Sequence, residues 1–232
     1  EAKGKDWYRD AIRICTGLYE EEIRTLLQRE DYEQILFLSK QAIASVDSPF
    51  AYVSMGYSLL KLNLANAGEA VNLLLKGTEL VEYPAWDGWT YYVLGWAYLE
   101  QGATREAKHA LEKGVIRCKN IYPSVKPVWY DESLRWLKKI FTEEIQVYLR
   151  NEDFSQLAAI SEEAVEIFDD FAYGYVVLGY SYMKTGIERP SRVITVLHQA
   201  FSLEEFPAEN GWAHFILGWA YQKNADYYSA KD

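Results

Sequence analysis

Among the residues that do acid–base, nucleophilic or metal chemistry, this chain of 232 residues carries three histidines, two cysteines and many carboxylates. Their spacing supports none in particular. His109, His198 and His214 stand on separate predicted helices, and none has a ligand-type residue four positions away. Cys15 and Cys118 follow no metal spacing and read as two buried or half-buried free thiols. No H-E-x-x-H, G-x-S-x-G, G-x-x-x-x-G-K or G-x-G-x-x-G motif occurs. Runs such as Glu20-Glu21-Glu22 and Glu162-Glu163 read as solvated helix faces. No catalytic, cofactor-binding or metal-ligating residue is assigned, so a non-enzymatic protein is expected. The residue type in excess is aromatic: 8 Trp, 19 Tyr and 9 Phe, or 16% of the chain. The chemistry such rings offer is binding, because they join a large apolar area to a polar handle.

The aromatics are densest in a stretch that occurs twice. Residues 87–99 read DGWTYYVLGWAYL and residues 210–222 read NGWAHFILGWAYQ. Gly88, Trp89, Gly95 and Trp96 recur as Gly211, Trp212, Gly218 and Trp219. On a helix, Trp89, Tyr92, Trp96 and Leu99 form one stripe (i, i+3, i+7, i+10), echoed by Trp212, Phe215 and Trp219. Two further helices offer Phe50, Val53, Tyr57 and Leu60, and Tyr173, Val176, Tyr180 and Met183.

The elements that position these stripes are all helical. Asp6 can cap a first helix running through Trp7, Ile12, Ile14, Leu18, Ile23, Leu26 and Leu27, broken at Arg29-Glu30-Asp31. Further helices are predicted over 32–45, ended by Asp47-Ser48-Pro49, then 50–61 and 68–82, the last stopped by Pro84. Two more cover 88–101, with Asp87-Gly88 as cap and Gly102 as stop, and 104–119, stopped before Pro123. Strand signals are absent.

From Trp129 the pattern restarts. Trp7-Tyr8 returns as Trp129-Tyr130, Glu21-Glu22-Ile23 as Glu143-Glu144-Ile145, and Asp31-Tyr32 as Asp153-Phe154. After one inserted residue Tyr52, Gly56 and Pro84 return as Tyr175, Gly179 and Pro207. A tandem duplication is expected, with a first three-hairpin module over 1–122 and a second over 123–232. The last helix of the second is cut off near Asp232, as in a fragment of a longer chain.

Within each half Tyr91-x2-Leu94-Gly95-x2-Tyr98, then Ala107-x3-Leu111 and Pro123, follow one pattern. Tyr175-x2-Leu178-Gly179-x2-Tyr182 and His214-x2-Leu217-Gly218-x2-Tyr221 follow it too, the latter with Ala230 opening the truncated partner helix. Tyr52-x2-Met55-Gly56-x2-Leu59, with Ala70-x3-Leu74, is a looser copy. This resembles the tetratricopeptide repeat, a helix-turn-helix unit of about 34 residues. Here the repeats run longer, with Gly56 and Gly95 39 positions apart. The hairpins around Asp31-Tyr32 and Asp153-Phe154 lack the Leu-Gly pair. A mid-helix glycine costs about 1 kcal/mol against alanine, so its recurrence points to close helix approach.

The resemblance implies an all-α, right-handed superhelical solenoid of such hairpins, with a concave groove. Tyr91, Leu94, Gly95 and Tyr98 would be packing residues. Tyr57, Trp89, Tyr92, Trp96, Tyr173, Tyr180, Trp212, Phe215 and Trp219 would line the groove and bind a peptide or helical segment of a partner. A competing reading packs the same stripe against the next hairpin. The Lys and Asn clamp that some relatives place in the groove for a carboxylate has no counterpart, and Arg24, Arg150, Lys184 and Lys223 are scattered cations. Two alternatives to partner binding are a self-assembly module and small-ligand or glycan binding between the two halves.

Charge and composition bound the partner. The formal net charge is −10, which argues against a nucleic-acid partner, since phosphate binding draws on clustered Lys and Arg. No apolar run is long enough to span a membrane. Two unpaired cysteines and the absence of an Asn-x-Ser/Thr site point to a reducing compartment, or to a bacterial protein with no use for disulfides, and a cytoplasmic location is expected.

Overall fold

The computed structural model describes residues 3–62, 67–80, 88–122, 124–186, 189–203 and 210–224. Eleven helices cover most of them: α1 (Lys3–Gln28), α2 (Tyr32–Val46), α3 (Pro49–Lys61), α4 (Ala67–Glu79), α5 (Gly88–Glu100), α6 (Thr104–Ile121), α7 (Val128–Arg150), α8 (Phe154–Ile167), α9 (Ala172–Thr185), α10 (Pro190–Phe201) and α11 (Gly211–Lys223). No strand occurs among the described residues. Asp6 does not cap α1, which already begins at Lys3; it lies in the first turn, where an acidic side chain still suits the helix dipole. The stops expected from Pro84 and Pro123, the Asp87 cap and the helix opened by Ala230 lie outside the described residues.

Local chemistry explains the boundaries. The Asp31 carboxylate accepts from the Gln34 amide at 3.2 Å, and Asp153 accepts from Gln156 at 3.1 Å. Ser48 caps α3 in the same way, with Pro49 at the first helical position, where its missing N–H costs nothing. Three hairpin turns share one bond from the residue after the turn to a carbonyl five positions back. These are Asp31 to Leu26, Ala103 to Tyr98 and Asp153 to Tyr148. Each turn needs one left-handed residue: Glu30 (φ 56°), Gly102 (φ 72°) and Glu152 (φ 54°).

The chain divides into two compact units, Glu1–Ser133 and Leu134–Asp232, with the division inside α7. In the first unit each helix from α1 to α6 packs on the next, and α1 touches α3 as α3 touches α5. In the second unit α8 to α11 do the same, with α9 also on α11. Each unit is therefore a stack of helical hairpins that contact their neighbours, which is the economy of repeat folds.

The recurring glycine has a definite task inside these stacks. A Cβ added at Gly95 would lie 2.5 Å from Leu111 Cγ; at Gly56 it would lie 3.0 Å from Leu74 Cγ, and at Gly179 3.1 Å from two Leu197 carbons. Leu74, Leu111 and Leu197 are fully buried. The first helix of a hairpin gives up a side chain so that a leucine of the second can seat against its backbone. Packing of that leucine offsets the roughly 1 kcal/mol of helix propensity lost at the glycine.

Candidate functional site

The aromatic stripe of α5 is split between two neighbours. Trp89 faces back toward α3, 5.3 Å from the Tyr57 ring and 6.2 Å from Phe50. Trp96, two turns on, stands 6.1 Å from Tyr57. Tyr57 in turn meets Tyr32 of α2 edge-on at 5.9 Å. The result is a ladder, Tyr32–Tyr57–Trp89/Trp96, along one face of the first unit, with Tyr57, Trp89 and Trp96 half-buried. Lys61 closes it, its ammonium 5.4 Å from both the Tyr57 and the Trp96 ring centres, within range of a cation–π attraction. The Trp96 indole N–H donates to Glu100 at 3.0 Å. Burial pushes the Tyr57 hydroxyl above the ordinary tyrosine range and does the same to Tyr32.

Tyr92 departs from the rest of the stripe. It is buried and faces forward, its ring 6.1 Å from Trp129 at the start of α7 and its hydroxyl donating to Glu132 at 2.5 Å. It offers no surface to a partner. The reason is angular: Tyr92 is rotated about 60° from Trp89 around the helix, enough to move it to the flank covered by the next element.

The second unit builds its own ladder from equivalent positions. Tyr180 meets Phe154 at 5.7 Å and Trp212 at 5.0 Å, and Lys184 lies 5.4 and 5.5 Å from the Phe154 and Tyr180 rings. Trp212 and Trp219 are half-buried against the core around Ile216 and Ala220. Tyr173 stacks edge-on with Phe171 at 6.1 Å, and burial raises its hydroxyl pKa. Phe215, the counterpart of Tyr92, is exposed. Sequence reasoning missed Tyr32, Phe154 and Lys61 and treated Lys184 as a scattered cation. The signal was present, since Tyr32/Phe154 and Lys61/Lys184 recur 122 and 123 positions apart, as the other matching residues do.

The residues able to do other chemistry are dispersed. His198 pairs with the Tyr221 hydroxyl at 2.6 Å, and His214 lies against the Phe201 ring at 4.7 Å. Both cysteines are free; Cys118 is buried as expected, whereas Cys15 is exposed because that part of α1 is uncovered. Among the described residues no group of three His, Cys, Asp or Glu gathers as a metal would need.

One buried polar contact makes a pH prediction. Tyr182 is buried and its hydroxyl donates to Glu162. Loss of hydration, then the bond to Glu162, push its pKa from 10.0 to about 12. The folded state thus holds this proton more tightly than the unfolded chain. The associated stability is fully present below pH 10.0 and is lost as pH rises through about 12. Tyr182→Phe should cost roughly 1 kcal/mol at neutral pH. The gap to wild type should narrow through that alkaline window, as read by urea unfolding across pH. A gap that does not change with pH would show the tyrosine to be uncoupled.

Fold and ladder together define a class of protein: an all-α repeat protein whose hairpins are tetratricopeptide-like, with half-exposed aromatic faces. The chain is similar at low identity to several solved structures. The crystal structure of MamA aligns over 85% of this chain and 96% of its own, at 16% identity and a TM-score of 0.47. YrrB, described as a TPR protein with an unusual peptide-binding site, aligns over 83% and 86%, at 15% identity and a TM-score of 0.40. The TPR domain of P58(IPK) aligns over 93% of this chain and 57% of its own, at 16% identity and a TM-score of 0.43. No family model and no curated protein matches the sequence. No helix of the described residues is long and apolar enough to cross a membrane.

Proposed function

We propose that the protein is a non-enzymatic interaction scaffold that binds a peptide or helical segment of a partner protein on its aromatic ladders. The observation that carries this reading is the pairing of half-exposed rings with a lysine, Tyr57/Trp96 with Lys61 and Tyr180 with Lys184. Much of each ring is already spent on packing between hairpins. The remaining faces are rigid, apolar and held in place, so a partner side chain can be desolvated on them with little ordering cost. The lysines add a cation to a surface that is acidic overall. The best-fitting segment carries apolar or aromatic anchors flanked by a carboxylate. The charge balance disfavours nucleic acid, and a cytoplasmic setting goes with the free thiols.

A peptide-display selection against the 232-residue chain tests this. Enriched peptides should carry the anchor-plus-carboxylate pattern. Replacing Trp96 and Trp219 together by Ala should weaken them by about tenfold or more, with helicity unchanged by circular dichroism. Selected peptides that bind the folded double variant as tightly as wild type would place the site elsewhere.

A further inference from the structure

The flank of α5 turned away from the ladder carries charge that the ladder does not use. Tyr91 stands about 200° round the helix from Trp89 and faces α6 rather than α3. A Cβ added at Gly114 of α6 would lie 3.4 Å from Tyr91 Cβ. Two cations of α6 lie over the half-buried Tyr91 ring. The Arg117 guanidinium carbon is 4.5 Å from the ring centre and the Lys113 ammonium 5.9 Å, both within cation–π range. Like charges gathered on one ring repel each other unless an anion lies with them.

The preceding hairpin shows how such a ring is served when the anion is built in. Tyr52 and Gly77 hold the equivalent places in α3 and α4, since a Cβ added at Gly77 would lie 3.4 Å from Tyr52 Cβ. One cation lies there, the Lys76 ammonium, 4.7 Å from the Tyr52 ring. Asp47 supplies the carboxylate and accepts the Tyr52 hydroxyl at 2.8 Å. In the next hairpin both features change. Asp47 corresponds to Trp86, 39 positions on, as Tyr52 does to Tyr91. Three residues past the matching glycine, Leu80 gives way to Arg117. A carboxylate has gone and a second cation has come in. Arg117 Nη1 is shielded from water and has no acceptor among the described residues, a costly condition for a charged donor. Ile116, beside Arg117 on α6, is 53% exposed, so an apolar contact adjoins the charge.

We infer that Tyr91, Lys113 and Arg117 form a carboxylate-binding site, which takes an aspartate or glutamate side chain of a partner polypeptide while a neighbouring apolar side chain rests on Ile116. The ligand does for Tyr91 and its cations what Asp47 does for Tyr52. The guanidinium fork matches a planar carboxylate, the Tyr91 ring fixes the plane of the fork, and Lys113 adds charge from the solvent side. Two local cations work against a chain whose net charge is −10, which favours a monoanion over a dianionic phosphate. The site is separate from the aromatic ladder and stands whether or not the ladder binds a segment of its own.

NMR of the whole chain tests it, with the Arg117 Nε–H signal, identified by its loss in Arg117→Lys, as the reporter. Titration with acetyl-Leu-Glu-Leu-amide should shift that signal saturably. The peptide with glutamine in place of glutamate should bind about tenfold or more weakly. Arg117→Gln should erase this preference, read from the Tyr91 ring signals. Lys113→Gln alters an exposed side chain without disturbing the fold, and should reduce the preference about twofold to fivefold. The same titration in Trp96→Ala/Trp219→Ala should be unchanged, so failure of the ladders and failure of this site are told apart. An Arg117 signal that neither peptide moves would overturn the inference; this is the outcome if Asp87, next to Trp86, already holds the guanidinium. Equal binding of the two peptides, or a preference that survives in both Arg117→Gln and Lys113→Gln, would do the same. A phosphoserine peptide that binds more tightly than the glutamate peptide would overturn the choice of a carboxylate.

Discussion

Replacing Leu111 by Ala should lower the unfolding free energy by about 3–4 kcal/mol, because the side chain is fully buried in the notch opposite Gly95 and little can collapse into its place. Gly95→Ala should also destabilise. The added methyl would stand 2.5 Å from Leu111 Cγ, and the overpacking, about 1–3 kcal/mol, exceeds the roughly 1 kcal/mol gained in helix propensity. The double variant is the informative one. Once Leu111 is shortened, the methyl introduced by Gly95→Ala enters vacated volume. The pair should then be more stable than the sum of the single changes by about 1–2 kcal/mol. Denaturant unfolding of the four proteins measures this. Strict additivity would mean that the glycine is not there for the leucine.

Trp89→Ala should cost about 2–3 kcal/mol, while Trp96→Ala costs about 1 kcal/mol or less. Both belong to the same sequence stripe and both are half-buried. Trp89, however, bridges two rings of α3, Phe50 and Tyr57, and so ties neighbouring hairpins together. Trp96 meets the edge of Tyr57 alone among α3 rings and spends its N–H on an exposed glutamate of its own helix. Thermal unfolding of the two single variants gives the ranking, and equal losses would show the ladder to be a single packing unit. The ranking bears on function, because Trp96 can be removed to probe binding with little loss of fold.

The hairpins were largely legible because helical periodicity, caps and glycine stops are local. Asp31, read in the sequence only as part of a break between helices, caps α2, as Asp153 caps α8, and the Leu-Gly pair marks the notch where two helices meet. The division of the stripe was not legible. Trp89, Tyr92 and Trp96 lie within one narrow arc of α5, yet a helix inside a stack has a neighbour on either flank. Which flank a ring joins depends on where Phe50, Tyr57 and Trp129 stand, and spacing within α5 carries no information about that. The lysines were missed for a related reason. A charged residue four positions past an aromatic reads as solvent-facing until the adjacent helix brings a second ring beneath it.

What the sequence determined by itself is the repeating helical unit, since 3.6-residue periodicity, turn chemistry and the recurring glycine act over a few residues at a time. The tertiary structure decided which aromatics are spent on holding hairpins together and which keep a face open. It also seated Trp129 on Gly88, where only glycine leaves room for the ring. Those outcomes turn on which helices are neighbours, which the spacing within a single helix does not record.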